Sequence, residues 1–342
     1  TWYLNGDSAA AAPALSRACD AYRRALGGGD PRAITTLLVL AYLHVSEDRA
    51  AAAMPYLREL LAQLEGSDSH AGLLSCCRHM MSVYASVALL GRAPVTTVRR
   101  TYDEFARTFG EHHFFTVHAR AMAADHAADR DERIALLRGC LRSLDTWGVP
   151  STYLRAKYTF EIARAATDRA VEVRELRAAI ALFRTLAPKA SQGRADYPYA
   201  LQRLARRLTA GDDVKSTDEV GELLEEGRAY CEWNERVPAY RRAFAFSDSG
   251  HWRLQHGDAG GAVESLTAAV TLWRADPRPV ARKFLAESLA LLAFAVRGQG
   301  DGRRADTLAG EAQKLFDAER DKSDESLIRT RELLGGRLPA WR

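Results

Sequence analysis

Residues 254–269, LQHGDAGGAVESLTAA, and residues 297–312, RGQGDGRRADTLAGEA, state one pattern twice. Gly257, Ala262, Leu266 and Ala269 are followed 43 residues later by Gly300, Ala305, Ala309 and Ala312. Glycine at a helix end allows a left-handed turn, and alanines let the next helix lie close to the one before. The spacing predicts a helix–turn–helix unit. A period of about 34 to 47 residues built of helix pairs predicts an α-solenoid, an all-α array that presents a long curved wall rather than one deep pocket.

Working outward, breaks recur about every 40 residues, at 27–31 (GGGDP), 66–69 (GSDS), 109–111 (FGE), 147–150 (WGVP), 188–198, 235–238 (ERVP) and 276–279 (DPRP). Between successive breaks lie two helical patterns joined by short connectors near 47–48, 91–92, 129–130, 167–168, 211–216, 257–258 and 300–301. The second helices carry apolar residues at helical spacing, as in Ala53, Leu57, Leu60 and Leu61, or Leu176, Ala179, Ile180 and Phe183. Pro55 falls in a first turn, where a missing N–H costs nothing. Ser216 and Glu219 form a capping box. No useful β-alternation appears, so at least 70% helix is expected. The expected architecture is one body over 1–342: about seven hairpins and a leading half over 14–318, wound into a right-handed superhelix. Residues 319–342 follow as a capping helix and tail, with 323–334 charged on one face, as a terminal repeat needs.

Three stretches resemble tetratricopeptide repeats, in particular the long kind, about 42 residues, of kinesin light chain. Residues 18–40, ACDAYRRALGGGDPRAITTLLVL, resemble that family's joint between a second helix and the next first helix. Residues 51–61, AAAMPYLRELL, carry its A-x-P-L/Y-L pattern, and 109–120, FGEHHFFTVHAR, its G-x-x-H-x-x-T joint with Phe114 in place of proline. The resemblance implies that the first helix of each pair lines the concave face. Family first helices commonly carry an asparagine that clamps a peptide backbone. Here they read TLLVLAYL, HMMSVYA, ARAMAADH, TFEIARAA, LQRLARRL and SLALLAFA, without it.

Composition bounds the partner. The chain of 342 residues is 47% hydrophobic with a net charge of +4, so bulk charge points neither to direct nucleic-acid binding nor to a membrane surface. Only six of 48 basic residues are lysine, an arginine excess that fits an alanine- and arginine-rich bacterial proteome. Five scattered cysteines show no zinc or disulfide spacing and read as reduced, buried residues of a cytoplasmic protein. Residues 34–45 form the longest apolar run, too short to span a bilayer. The chain opens at Thr1 without methionine, which fits a further domain N-terminal to it.

Chemistry finds little purchase. His112, His113, His118 and His126 with Asp125 are the best metal candidates, yet H-x-x-x-H and H-E-x-x-H are absent. Cys76 and Cys77 beside His79 point about 100° apart on a helix, so at least one belongs to the core. Gly27, Gly28 and Gly29 follow no strand and read as a joint rather than a phosphate cradle. No metal, cofactor or enzyme activity is expected.

Aligning the units on their turns points inward Tyr42, Arg78 and Met81, Ala119 and His126, Arg155, Tyr158 and Ile162, Leu201 and Leu208, Phe244, His251 and Gln255, then Glu287, Phe294 and Arg297. Arg203, Arg206 and Arg207 add positive charge in the fifth unit, some of them pointing outward. Aromatic residues and arginine dominate interface hot spots, and arginine suits carboxylates. The sequence therefore points to a non-catalytic scaffold gripping a protein or peptide segment, acidic or ending in a carboxylate. The alternative is a ligand- or peptide-sensing arm of a larger regulator linked to an NTPase or DNA-binding domain.

Overall fold

A computed structural model describes residues 8–46, 50–64, 71–90, 93–148, 151–186, 196–209, 217–235, 237–319 and 323–341. Of the described residues 84% are helical, and no strand occurs among them. The helices fall into two compact units, 1–193 and 194–342, where the sequence reading expects one body.

The first unit holds α1 (Ser8–Leu26), α2 (Pro31–Ser46), α3 (Ala50–Leu64), α4 (Ala71–Leu90), α5 (Val95–Phe109), α6 (Phe114–Asp125), α7 (Arg130–Asp145), α8 (Thr152–Ala165) and α9 (Arg169–Leu186). The second holds α10 (Asp196–Thr209), α11 (Thr217–Trp233), α12 (Ala239–Gln255), α13 (Ala259–Ala275), α14 (Ala281–Gly298), α15 (Gly302–Ala318) and α16 (Glu325–Leu334). Helix α1 is the leading half, the pairs α2–α3 through α14–α15 make seven hairpins, and α16 closes the array. From the end of α1 to the start of α15, the described helix ends fall within a few residues of a break or connector read from the sequence. The breaks at 66–69 and the connectors at 47–48, 91–92 and 211–216, with the Ser216 cap, lie outside the described residues.

Local chemistry sets these ends. Gly257 and Gly300 adopt φ of 81° and 90°, the left-handed turn that leaves α12 and α14. The following aspartates then cap the second helices: Asp258 accepts from Gly261 N at 2.9 Å and Asp301 from Arg304 N at 3.1 Å. Asp129 and Asp168 do the same for α7 and α9, each at 2.8 Å.

Packing follows from small residues. Ala262, Ala269, Ala305 and Ala312 have no exposed surface, which places the repeated alanines where paired helices meet. Within each unit every helix packs on its sequence neighbours, and in the second the first helices α10, α12, α14 and α16 also pack on one another. Leu266, Leu289, Leu292 and Val296 make the core of the last hairpins; Leu38, Leu57, Leu60 and Phe105 belong to that of the first. Serine, threonine and leucine on one side of α16 bury Ser326, Leu327, Thr330 and Leu333, leaving the charged side outward.

Candidate partner-binding face

In the second unit the side-by-side first helices carry a row of paired polar groups, of which Gln202, Asp248, Glu287 and Ser288 are buried. Gln202 Nε2 of α10 donates to Asp248 of α12 at 2.7 Å, and Arg206 Nη2 reaches both Asp248 oxygens at 3.2 Å. The Asp248 carboxylate raises the Arg206 pKa and so holds its charge. Ser247 and Ser288 share a hydrogen bond of 3.2 Å between α12 and α14. Between α14 and α16, Arg329 Nε and Nη2 donate to Glu287 at 2.5 and 3.3 Å. Burial pushes the Glu287 carboxyl up, partly offset by Arg329. Lys283 binds Asp324 at 2.6 Å.

These partners stand one repeat apart. Gln202 and Asp248 are separated by 46 residues, Arg206 and Asp248 by 42, Glu287 and Arg329 by 42, and Lys283 and Asp324 by 41. Matching groups therefore recur at the repeat period because neighbouring first helices present equivalent positions to each other.

Beside this row lies an extended segment of the chain itself. Gly336, with φ of 80°, turns the backbone out of α16. Leu338 then packs against the α13–α15 core, and Pro339 and Trp341 are buried. The Pro339 carbonyl accepts two hydrogen bonds from α12, from His251 Nε2 at 2.8 Å and Gln255 Nε2 at 2.7 Å. Trp341 meets the Trp252 ring edge to face, centroids 5.8 Å apart. Burial lowers the His251 pKa, so a neutral imidazole makes this contact.

In the first unit the inner residues crowd together. Tyr42 of α2 meets His118 of α6 with ring centroids 3.7 Å apart and Phe114 at 5.6 Å. Burial, with the nearby Lys157 charge, holds His118 well below the usual histidine value, and its Nε2 has no hydrogen-bond partner among the described residues. Arg133 ties Glu161 at 2.5 Å to Asp125 at 3.2 Å. The Asp125 side chain reaches solvent, yet surrounding protein and Glu161 push its carboxyl up.

The residues expected on the inner wall fall into three settings. Tyr42 and Tyr158, each 4% exposed, belong to core clusters, and Phe244 packs edge-on against Trp273 and Phe284. Phe294 is half-buried against the last core. Arg155 is ion-paired to Asp145 at the end of the preceding hairpin at 2.7 Å, and Arg297 to Asp306 of its own hairpin at 2.5 Å. Arg78 is exposed beside a cavity of about 280 Å3 that it lines with His79, Ser82, Thr96, Thr97 and Arg100. His126 ends α6 with Nδ1 on the Met122 carbonyl at 3.0 Å, and Arg203 is half-buried on α10. His251 and Gln255 alone among the expected residues meet at one seat. Asp248, Gln202 and Arg329 escape the sequence list, although pairing at the repeat period marks them.

Among the described residues no group of three or more His, Cys, Asp or Glu could hold a metal, and no helix is long and apolar enough to cross a membrane.

No family model matches the chain, and no curated protein matches its sequence. Among solved structures, the apo form of RapI matches with a TM-score of 0.61 at 13% identity, covering 88% of this chain and 81% of that one. A Rap protein complexed with competence and sporulation factor gives 0.48 at 14% identity, covering 89% and 84%. BtubC from P. vanneervenii gives 0.32 at 12%, covering 92% and 94%. The last two are too distant to argue from. The likeness to RapI is one of fold, and, with the successive helix pairing, the chain has a helical-repeat fold of the tetratricopeptide type.

Proposed function

We propose that the chain is a non-catalytic scaffold that holds an extended protein or peptide segment along the inner faces of its first helices. The observation that carries this reading is the pair of hydrogen bonds from His251 and Gln255 to one backbone carbonyl, that of Pro339. A face that already seats an extended backbone, with side-chain donors and an aromatic wall, has the chemistry that recognises a peptide. The row from Gln202 to Arg329 supports it by fixing the neighbouring side chains, so that little ordering is required on binding.

Arg203, His251, Gln255, Phe294 and Arg297 are assigned to this face in the second unit. Tyr42, Arg78, His126, Arg155 and Tyr158 are assigned to the first. The core tyrosines shape the wall rather than touch the segment, and Arg155 and Arg297 would exchange their aspartates for a partner's carboxylate. A segment held in this way binds more weakly as salt rises.

A photo-crosslinking amino acid at Gln255 or Arg203, compared with one at the exposed Arg303 of α15, tests the reading in extract of the source cell. Crosslinks to a shared partner from Gln255 and Arg203, and not from Arg303, are expected. A partner that crosslinks only from Arg303 would move binding to the outer helices.

A further inference from the structure

We infer that residues 337–341 are a resident ligand of the α12 seat: a latch that an incoming segment must displace. The inference rests on the reading of the inner face as a segment-binding surface. The seat takes a backbone carbonyl followed two residues later by an indole, and its partner class is an extended segment with that arrangement.

Three features set this tail apart from ordinary terminal packing. First, it is held by side chains rather than by continued helix. The α16 helix ends where Gly335 N, Gly336 N and Arg337 N bond the Arg331, Leu333 and Glu332 carbonyls, and the backbone then leaves without regular structure to meet α12. Second, its anchors are those of a bound peptide. One carbonyl takes two donors, and one large aromatic side chain, 5% exposed, sits on another. Third, the fit is incomplete. Trp341 Nε1 is buried with no hydrogen-bond partner among the described residues, and a buried N–H without an acceptor weakens the contact it sits in. A ligand that supplies an acceptor there, or that lacks the N–H, gains over the tail.

The tether explains how an imperfect segment holds its seat. A segment joined to α16 by a short run is present at an effective concentration in the millimolar range, which favours it over a free competitor. Loosening the anchor should expose the seat without altering the rest of α12.

The test uses the full chain and a fluorescent peptide with the sequence of residues 335–342, read by anisotropy. Trp341→Ala in the chain should bind the peptide saturably and at least tenfold more tightly than the unchanged chain does. Adding His251→Ala and Gln255→Ala should abolish that binding. Equal binding to both chains, or binding indifferent to His251 and Gln255, would overturn the latch. Should Trp341→Ala fail to fold, excess peptide added to the unchanged chain should raise deuterium uptake at 337–341, and unchanged uptake overturns it equally. The peptide is the chain's own sequence, so the outcome needs no partner. Crosslinks from Gln255 without peptide exchange would remove the latch and leave the proposed function standing.

Discussion

Gly250 of α12 and Leu266 of α13 are so closely packed that a methyl group on Gly250 would stand 2.6 Å from Leu266 Cγ. No real Cβ tolerates that distance, so helix pairing here depends on the missing side chain. Gly250→Ala should therefore destabilise the fold by about 1–3 kcal/mol, against a helix-propensity gain of about 1 kcal/mol. Ala262→Leu, at the same seam, should overpack to a similar degree. Gly310 of α15 is exposed with nothing near its would-be Cβ, and Gly310→Ala should stabilise by roughly 0.5–1 kcal/mol. Denaturant unfolding reads all three, and a neutral Gly250→Ala would mean that the helices are further apart.

The Glu287–Arg329 pair should show the cost of a half-removed buried ion pair. Arg329→Met leaves a buried carboxylate and should cost about 3–5 kcal/mol near pH 8. Burial already raises the Glu287 pKa above 4.5, and losing Arg329 raises it further. Stability from a carboxyl with a raised folded pKa is complete below 4.5 and is lost as pH rises through the folded value. The Arg329→Met deficit should accordingly shrink at pH 5. The double variant Glu287→Met/Arg329→Met should recover most of the loss. A deficit equal at both pH values would place Glu287 in water.

All five cysteines are buried. Desolvation pushes the Cys76 thiol up to about 11 and Cys77, Cys140 and Cys231 up to about 12. Thiolate is the reactive form, so at pH 8 the native chain should resist iodoacetamide while the denatured chain takes up five labels. One cysteine labelled rapidly under native conditions would contradict its burial.

The fold was legible because its punctuation is local. Gly257–Asp258 and Gly300–Asp301 carry both the turn and the cap within two residues, and the buried alanines follow at fixed helical offsets. The face was legible only in part, since what a side chain meets depends on a helix some 40 residues away. Register alone puts His251 and Gln255 on one face of α12. That their acceptor is Pro339, 88 and 84 residues distant, was not legible from it. Arg155 and Arg297 look available in sequence because Asp145 and Asp306 lie outside the usual helical i, i+4 spacing, 10 and 9 residues away across a turn.

Acid should destabilise the chain well before carboxylates titrate. His118 and His251 are both held below the ordinary value of 6.5, chiefly by burial; Lys157 adds to this at His118, and the Pro339 hydrogen bond partly offsets it at His251. The unfolded chain takes up these protons near pH 6.5, and the folded chain only at lower pH. Their contribution is thus complete above pH 6.5 and is lost as pH falls from 6.5 toward the folded values, by at most about 1.4 kcal/mol per pH unit for each histidine. Asp125 and Glu287, whose values are raised, lose stability in the opposite direction and cannot mimic this. Asp30, Glu104 and Asp276 are lowered from 3.8, 4.5 and 3.8, and titrate below the window. Calorimetry should show the melting temperature falling between pH 7 and pH 5. His118→Phe, which keeps a ring against Tyr42, and His251→Gln, which keeps a donor for Pro339, should together reduce that fall, the remainder coming from His113, which burial also lowers. A double variant with the wild-type slope would assign the acid sensitivity to other groups.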